Sequence, residues 1–126
     1  MKYAVLFIAL LFAGCGDGSS TVGYEIEIDG GTLQVAKEDF PLEMNWDNAM
    51  KACEELGNGW RLPTKEELVA MHEQLHKQGK GNFQHAYYWS SSKYGLFNAW
   101  CVNFGDCTWG ASGRNISYRV RAVRAF

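Results

Sequence analysis

From Tyr24 onward the spacing of apolar positions changes twice, and each change marks a different element. Tyr24, Ile26 and Ile28 alternate with Glu25 and Glu27, and Leu33 and Val35 alternate with Thr32 and Gln34, around Asp29-Gly30-Gly31. A period of two on either side of a glycine turn predicts a β-hairpin with one buried face. The period then lengthens. Trp46, Ala49, Met50, Cys53 and Leu56 recur at helical spacing, with Asn45 placed to cap the start and Gly57 placed to end the helix in a left-handed conformation. A second helix opens at Thr64, which with Glu67 makes a capping-box pattern just after Pro63. Leu68, Met71, His72 and Leu75 give it one face, and the pattern runs to about Gln78. Beyond a polar, glycine-rich stretch at 79–84, Tyr88 to Ser91, Ala99 to Phe104, Cys107 to Ala111 and Tyr118 to Arg124 read as short strands between glycine-containing turns. A hairpin, two helices and a small antiparallel C-terminal sheet make an α+β domain, with no internal repeat.

The residues before the hairpin follow another logic. Lys2 and the apolar run from Tyr3 to Phe12 read as a secretory signal over residues 1–14. Phe12-Ala13-Gly14-Cys15 resembles a bacterial lipobox, with Phe12 where leucine is usual, and that resemblance implies lipidation of Cys15. An ordinary signal peptide cut elsewhere, with Cys15 incidental, is the other reading. Residues 15–23 are small and polar, as a tether should be, which leaves 24–126 as the folded domain. The expected location is extracytoplasmic, at the outer membrane or cell surface, with the membrane reached through the lipid on Cys15. A net charge of −2 offers no basic field for nucleic acid, which is not an expected partner. Aromatic residues make up 14% of the chain, including five tryptophans, and supply large rigid side chains to a core or a contact surface.

Four segments carry a family likeness: Trp60-Arg61-Leu62-Pro63-Thr64-Lys65-Glu66-Glu67-Leu68, Tyr88-Trp89-Ser90-Ser91-Ser92, Ala99-Trp100-Cys101-Val102-Asn103-Phe104 and Arg119-Val120-Arg121-Ala122-Val123-Arg124. In this order the chain resembles the small C-type-lectin-like domains of the Legionella collagen-like protein C-terminal family and the Fibrobacter succinogenes major paralogous domain. The resemblance implies a lectin-like fold whose termini meet in a sheet. It also implies a surface-displayed, adhesin-like or receptor-like binding protein that is not an enzyme. The calcium loop of true C-type lectins is missing. Asn103 and Asp106 offer oxygens but not the six to eight that calcium requires, so neither calcium nor another metal or cofactor is expected. Lectin-like domains often tie the first helix to the last strand, yet Ala122 stands where a partner for Cys53 would be. With Cys15 lipidated, Cys53, Cys101 and Cys107 are an odd number, and Cys101 with Cys107 is the preferred pair provided their Cα atoms come within about 7 Å.

Two segments also match enzyme motifs. His72-Glu73-Gln74-Leu75-His76 matches His-Glu-x-x-His, which would make Glu73 the general base of a zinc-dependent hydrolase, with His85 or a distant acid as third ligand. The chain is short for such an enzyme, and in the resembling family this stretch is helix surface. Cys101 and Cys107 invite comparison with formylglycine-generating enzymes, whose other motifs are missing here. Arg61, Arg119, Arg121 and Arg124 suit a glycosaminoglycan patch or, along a half-buried strand, pairing with Glu66 or Glu67.

A compositional break separates the last third. From Tyr94 to the C-terminus there is no Lys, Glu, Gln or Met. Apart from tryptophan, the residues of 94–118 are those reached by randomising the adenines of asparagine codons. This resembles the variable region of proteins diversified by retroelements, which have lectin-like folds and a fixed C-terminal segment such as Arg119 to Phe126. On that reading Tyr94, Leu96, Phe97, Asn98, Cys101, Asn103, Gly105, Cys107, Asn115 and Tyr118 vary on a framework of Trp89, Trp100 and Trp109. The other reading is a fixed, glycine-rich β region. Either way, the expected contact set for an unidentified protein or glycan ligand is Tyr94, Leu96, Phe97, Asn98, Cys101, Asn103, Asp106, Cys107, Trp109, Arg114, Asn115 and Tyr118.

Overall fold

A computed structural model describes residues 23–125, so the expected signal, the lipobox with Cys15 and most of the tether lie outside the described residues. The hairpin forms from β1 (Gly23–Ile28) and β2 (Gly31–Ala36). Its turn is the two residues Asp29 and Gly30, both left-handed at φ 52° and 78°, which matches the twist of the paired strands. Then come α1 (Trp46–Glu55) and α2 (Lys65–Gln74), followed by β3 (Tyr87–Tyr94), β4 (Asn98–Asn103), β5 (Thr108–Gly113) and β6 (Val123–Ala125). Two antiparallel sheets result, ordered β1-β2-β6 and β3-β4-β5. Among the described residues no helix is long and apolar enough to cross a membrane.

Both helix starts follow their local signals. The Asn45 side chain accepts from the Asn48 amide at 2.9 Å, and Thr64 and Glu67 complete both halves of the capping box. The end of α2 differs from expectation. Leu75, at φ −118° and ψ −65°, leaves the helical path, and His76–Gln78 continue only as a 3₁₀ turn closed by left-handed Gly79. The final strand is also shorter than Tyr118 to Arg124. In that segment Tyr118 pairs with Met44, Arg119 with Tyr87 and Trp89, and Val120 with Phe40, so the backbone serves a different neighbour at each step and no ladder can run until Val123. The third expected strand starts at Thr108, because Cys107 is left-handed at φ 64° and belongs to the turn.

Two cores flank the central strands. Ile26, Leu33 and Val35 pack with Leu68 and Met71 of α2 and with Tyr88, Val102 and Phe104. Trp46, Ala49 and Cys53 of α1 pack with Trp89, Ala99, Cys101 and Val120. Burial pushes the Cys53 thiol up to about 12. The tryptophans cross-stitch the layers: Trp89 Nε1 donates to the Met44 carbonyl at 2.9 Å, and Trp46 Nε1 donates to the Ser90 carbonyl at 2.8 Å. Ser90, Ser91 and Ser92 lie in a register shift of β3, where the Ser91 amide donates to the Pro63 carbonyl and Ser92 Oγ accepts from the Lys65 amide. Those bonds join the Leu62-Pro63-Thr64 and Trp89-Ser90-Ser91 segments into one framework.

The arginines depart from the expected pairing. Arg61 does hold Glu67 bidentately, at 2.8 and 2.9 Å. Burial alone would raise the Glu67 carboxyl, but Arg61 and the Thr64 amide outweigh it and hold it below its ordinary value. Arg119 and Arg121 turn instead to Asp39, and Arg124 to Gln34. Arg121 is fully buried, with Nε on Asp39 at 2.8 Å, Nη1 on the Ala36 carbonyl, Nη2 on the Gly81 carbonyl, and its plane 4.0 Å from the Phe83 ring centroid. Gly81 is required here: at φ 90° a Cβ would run into the Phe83 ring.

Candidate ligand-binding face

The outer part of the β3-β4-β5 sheet, beyond the cover of α2, and the turn at its tip carry most of the large apolar side chains that the cores leave uncovered, with Leu42 exposed elsewhere. Leu96 and Phe97 are 79% and 78% exposed, and Tyr94 and Trp109 are each 52% exposed. Leu96 and Phe97 protrude because Gly95, left-handed at φ 76°, turns the chain between β3 and β4. Register sets the rest. Trp100 is opposite Ala111 and Val102 opposite Trp109, so these side chains share one face; α2 covers it at Val102, Trp100 and Trp109 emerge beside the start of that helix, and Ala99 and Cys101 point the other way into the α1 core. Tyr94 meets the Trp100 ring edge-on at 4.9 Å, and Lys65 Nζ lies 4.5 Å from Trp100 and 4.9 Å from Trp109. The ridge therefore reads Tyr94, Trp100, Lys65, Trp109, with a cation between two indoles.

Arg114 fastens the tip. It donates to Asp47 at 2.9 Å and to the Leu96 carbonyl at 3.1 Å, and its guanidinium sits 4.4 Å from the Trp46 ring centroid. A shallow open groove beside it is lined by Asn45, Asp47, Leu96, Phe97, Arg114 and Asn115. The face thus has an apolar centre and a rim of Asn, Asp and Arg groups.

Other expected contacts are placed differently. Cys101 is buried, with its thiol against the Gly110 carbonyl and Ser112, so it faces the core rather than a ligand. Trp109, expected as framework, stands on the exposed ridge. Tyr118 is half-buried, stacked on Tyr87 and Trp89 at 5.2 and 4.9 Å and hydrogen-bonded to Ser112. Asn98 is half-buried at the start of β4. Asn103 and Asp106 are committed to their own turn, accepting from the Gly105 amide and from Thr108 respectively. The Thr108 hydroxyl and then its amide hold the Asp106 carboxyl below its ordinary value. The expected Cys101–Cys107 bridge is not formed, and Cys53, Cys101 and Cys107 are free thiols. Cys101 is opposite Gly110, whereas Cys107 is in the turn beyond the Asn103–Thr108 pair, so the register carries the two thiols apart. Lys65 and Asp47 were not among the expected contacts. In sequence they read as ordinary first-turn helix residues.

The His-Glu-x-x-His segment departs from a continuous α-helix at Leu75. The two histidines are not on consecutive turns of one α-helix, because α2 ends at Gln74 and His76 opens the 3₁₀ turn. His76 packs among His72, His85 and Phe104, with ring centroids 5.3, 5.0 and 5.6 Å away. Burial, then His72 and His85, lower its basicity. Glu73 is bound to Lys77 at 3.3 Å.

Comparison with known proteins gives a consistent fold. The Lcl C-terminal domain profile matches residues 27–124. No curated protein matches the chain. Among solved structures, botrocetin is similar with a TM-score of 0.54 at 14% identity, covering 81% of this chain and 96% of that one. EMS16, described as an antagonist of the collagen receptor integrin α2β1, gives 0.52 at 15% identity, over 81% of this chain and 97% of its own. The snake venom toxin convulxin gives 0.52 at 8% identity, over 81% and 95%. Botrocetin is also similar in its complex with a von Willebrand factor A1 domain, with a TM-score of 0.51 at 12% identity over 81% of this chain and 96% of that one. At these identities the likeness is one of C-type-lectin-like fold.

Proposed function

The chain belongs to the Lcl C-terminal domain family, and from that premise we propose that it is a non-enzymatic binding domain whose outer sheet face and β3–β4 tip engage a protein ligand. The observation that carries this reading is the clustering of the uncovered apolar side chains Tyr94, Leu96, Phe97 and Trp109 at one end of the C-terminal sheet. Exposed aromatic and aliphatic anchors ringed by polar groups are the usual composition of a protein-recognition surface. Botrocetin, which shares the fold, is described in a complex with a von Willebrand factor A1 domain, and EMS16 as an antagonist of the collagen receptor integrin α2β1. That usage supports a protein over a sugar as the ligand class. Display at the cell surface through a lipid on Cys15 completes the proposal and makes the protein an adhesin. Diversification of the face is consistent with the arrangement, since all of the candidate variable positions except Cys101 lie at the surface or partly exposed.

The test compares the parent chain with the double variant Leu96→Ser/Phe97→Ser on arrays of extracellular proteins and of glycans. A protein ligand lost in the double variant, with the melting temperature unchanged, is the expected result. A ligand held equally by both overturns the assignment of the face, and glycan-only binding overturns the ligand class. Sequencing the gene across a growing population, with its flanking DNA, tests diversification separately.

A further inference from the structure

At the C-terminal end of α2, an imidazole nitrogen of His72, a Glu73 carboxylate oxygen and Cys107 Sγ all lie within 4.8 Å of one another. We propose that these three side chains, joined across the β4–β5 turn, form a site for a borderline divalent transition metal of the zinc type. The donor set selects the class. Imidazole nitrogen with thiolate suits zinc and its neighbours and is foreign to calcium or magnesium. Thiolate and carboxylate together also balance the dication's charge. Donors around tetrahedral zinc stand roughly 3.3 to 3.8 Å apart, given metal–ligand bonds of about 2.0 to 2.3 Å, so closure needs side-chain movements of about 1 Å.

Two features point to this site. His72 Nδ1 is buried and has no hydrogen-bond partner among the described residues, which is the state of a lone pair waiting for a ligand. Cys107 is held left-handed at φ 64°, a conformation that side chains other than asparagine and aspartate rarely adopt, and its amide is fixed on the Asn103 carbonyl at 2.7 Å. Glu73 divides its work: Oε1 holds Lys77 at 3.3 Å, while Oε2 faces His72 Nδ1 at 3.8 Å. The His72 ring is positioned edge-on to Phe104 at 5.5 Å. Glu73 is exposed, so the fourth coordination position opens to water. This site uses Glu73 as a ligand and Cys107 in place of His76, and so differs from the protease-like pattern. It also departs from the expectation of no metal. A bound ion would tie the turn beside Trp109 to α2.

The test uses the full chain carrying Cys15→Ser, kept reduced and stripped of metal, and titrated with Co²⁺ and then Zn²⁺. One equivalent of cobalt should produce a thiolate-to-metal charge-transfer band that zinc displaces. Cys107→Gly, which suits φ 64° and so spares the fold, should remove the band and weaken zinc binding by at least about tenfold. His72→Gln should weaken it similarly with little change in melting temperature. Absence of the band in the parent overturns the proposal, as does a band that survives Cys107→Gly, which would assign the thiolate to Cys53 or Cys101.

Discussion

Arg121 and Arg114 organise two regions in opposite ways. Around Arg121 everything closes: a fully buried guanidinium spends its donors on Asp39, Ala36, Gly81 and Asn82, and Asp39 in turn accepts from Tyr88 at 2.7 Å. Around Arg114 the same chemistry works at the edge, drawing α1 and the β3–β4 turn together while Leu96 and Phe97 stay outside. Buried charge tolerates no loss of a partner, whereas a surface clamp leaves its neighbours replaceable. The domain thus keeps its specificity of fold in one place and its freedom for recognition in another.

The widest separation should come from Arg121→Ala. It removes the donor from three carbonyls and the closest partner of Asp39, which keeps Tyr88 and Arg119, and should cost about 3 to 5 kcal/mol, enough to lower the urea midpoint of a domain this small sharply. Thr64→Ala comes next. Loss of the cap should lower stability by about 1 kcal/mol in the same assay without touching the binding face. The Arg61–Glu67 pair adds a pH signature. Glu67 is held below its ordinary 4.5, so its contribution is present above that value and disappears as pH falls through the folded-state value. The stability gap between the parent and Glu67→Gln should therefore narrow as pH drops from neutral to about 3, read by thermal melts. Leu96→Ser and Phe97→Ser sit at the other extreme, with a change within about 0.5 kcal/mol and all of the effect on ligand capture. A large stability loss there would erase the distinction between the regions.

What could be read in the chain was what local physics decides. Asn45, Thr64, Glu67 and Gly57 act within a turn of their own helix, and the structure places them as their spacing demands. The end of α2 was not legible. Leu75 keeps the apolar spacing, but its carbonyl is taken by Gln78 and Lys80 as the chain folds back at Gly79. Pairings across long separations were equally hidden: Arg121 meets Asp39 over 82 positions, and alternation along a strand says nothing of which carboxylate waits there. The face was legible as a composition and not as a geometry. Register, fixed by the Gly105–Cys107 turn, decides that Cys101 is inside and Trp109 outside, and a shift by one residue would reverse both.

The β1-β2-β6 sheet receives the chain at Gly23 and again near its end at Ala125. Its mechanics follow from that order. A pull applied at Gly23 would pass across β1, an edge strand held to β2 by six register pairs and on its outer side by the Gln74 side chain at Glu27, before it reached β2, which is paired on both sides. With fewer backbone partners than β2, β1 is the strand such a pull would free first, and the separate β3-β4-β5 sheet shares no ladder with it.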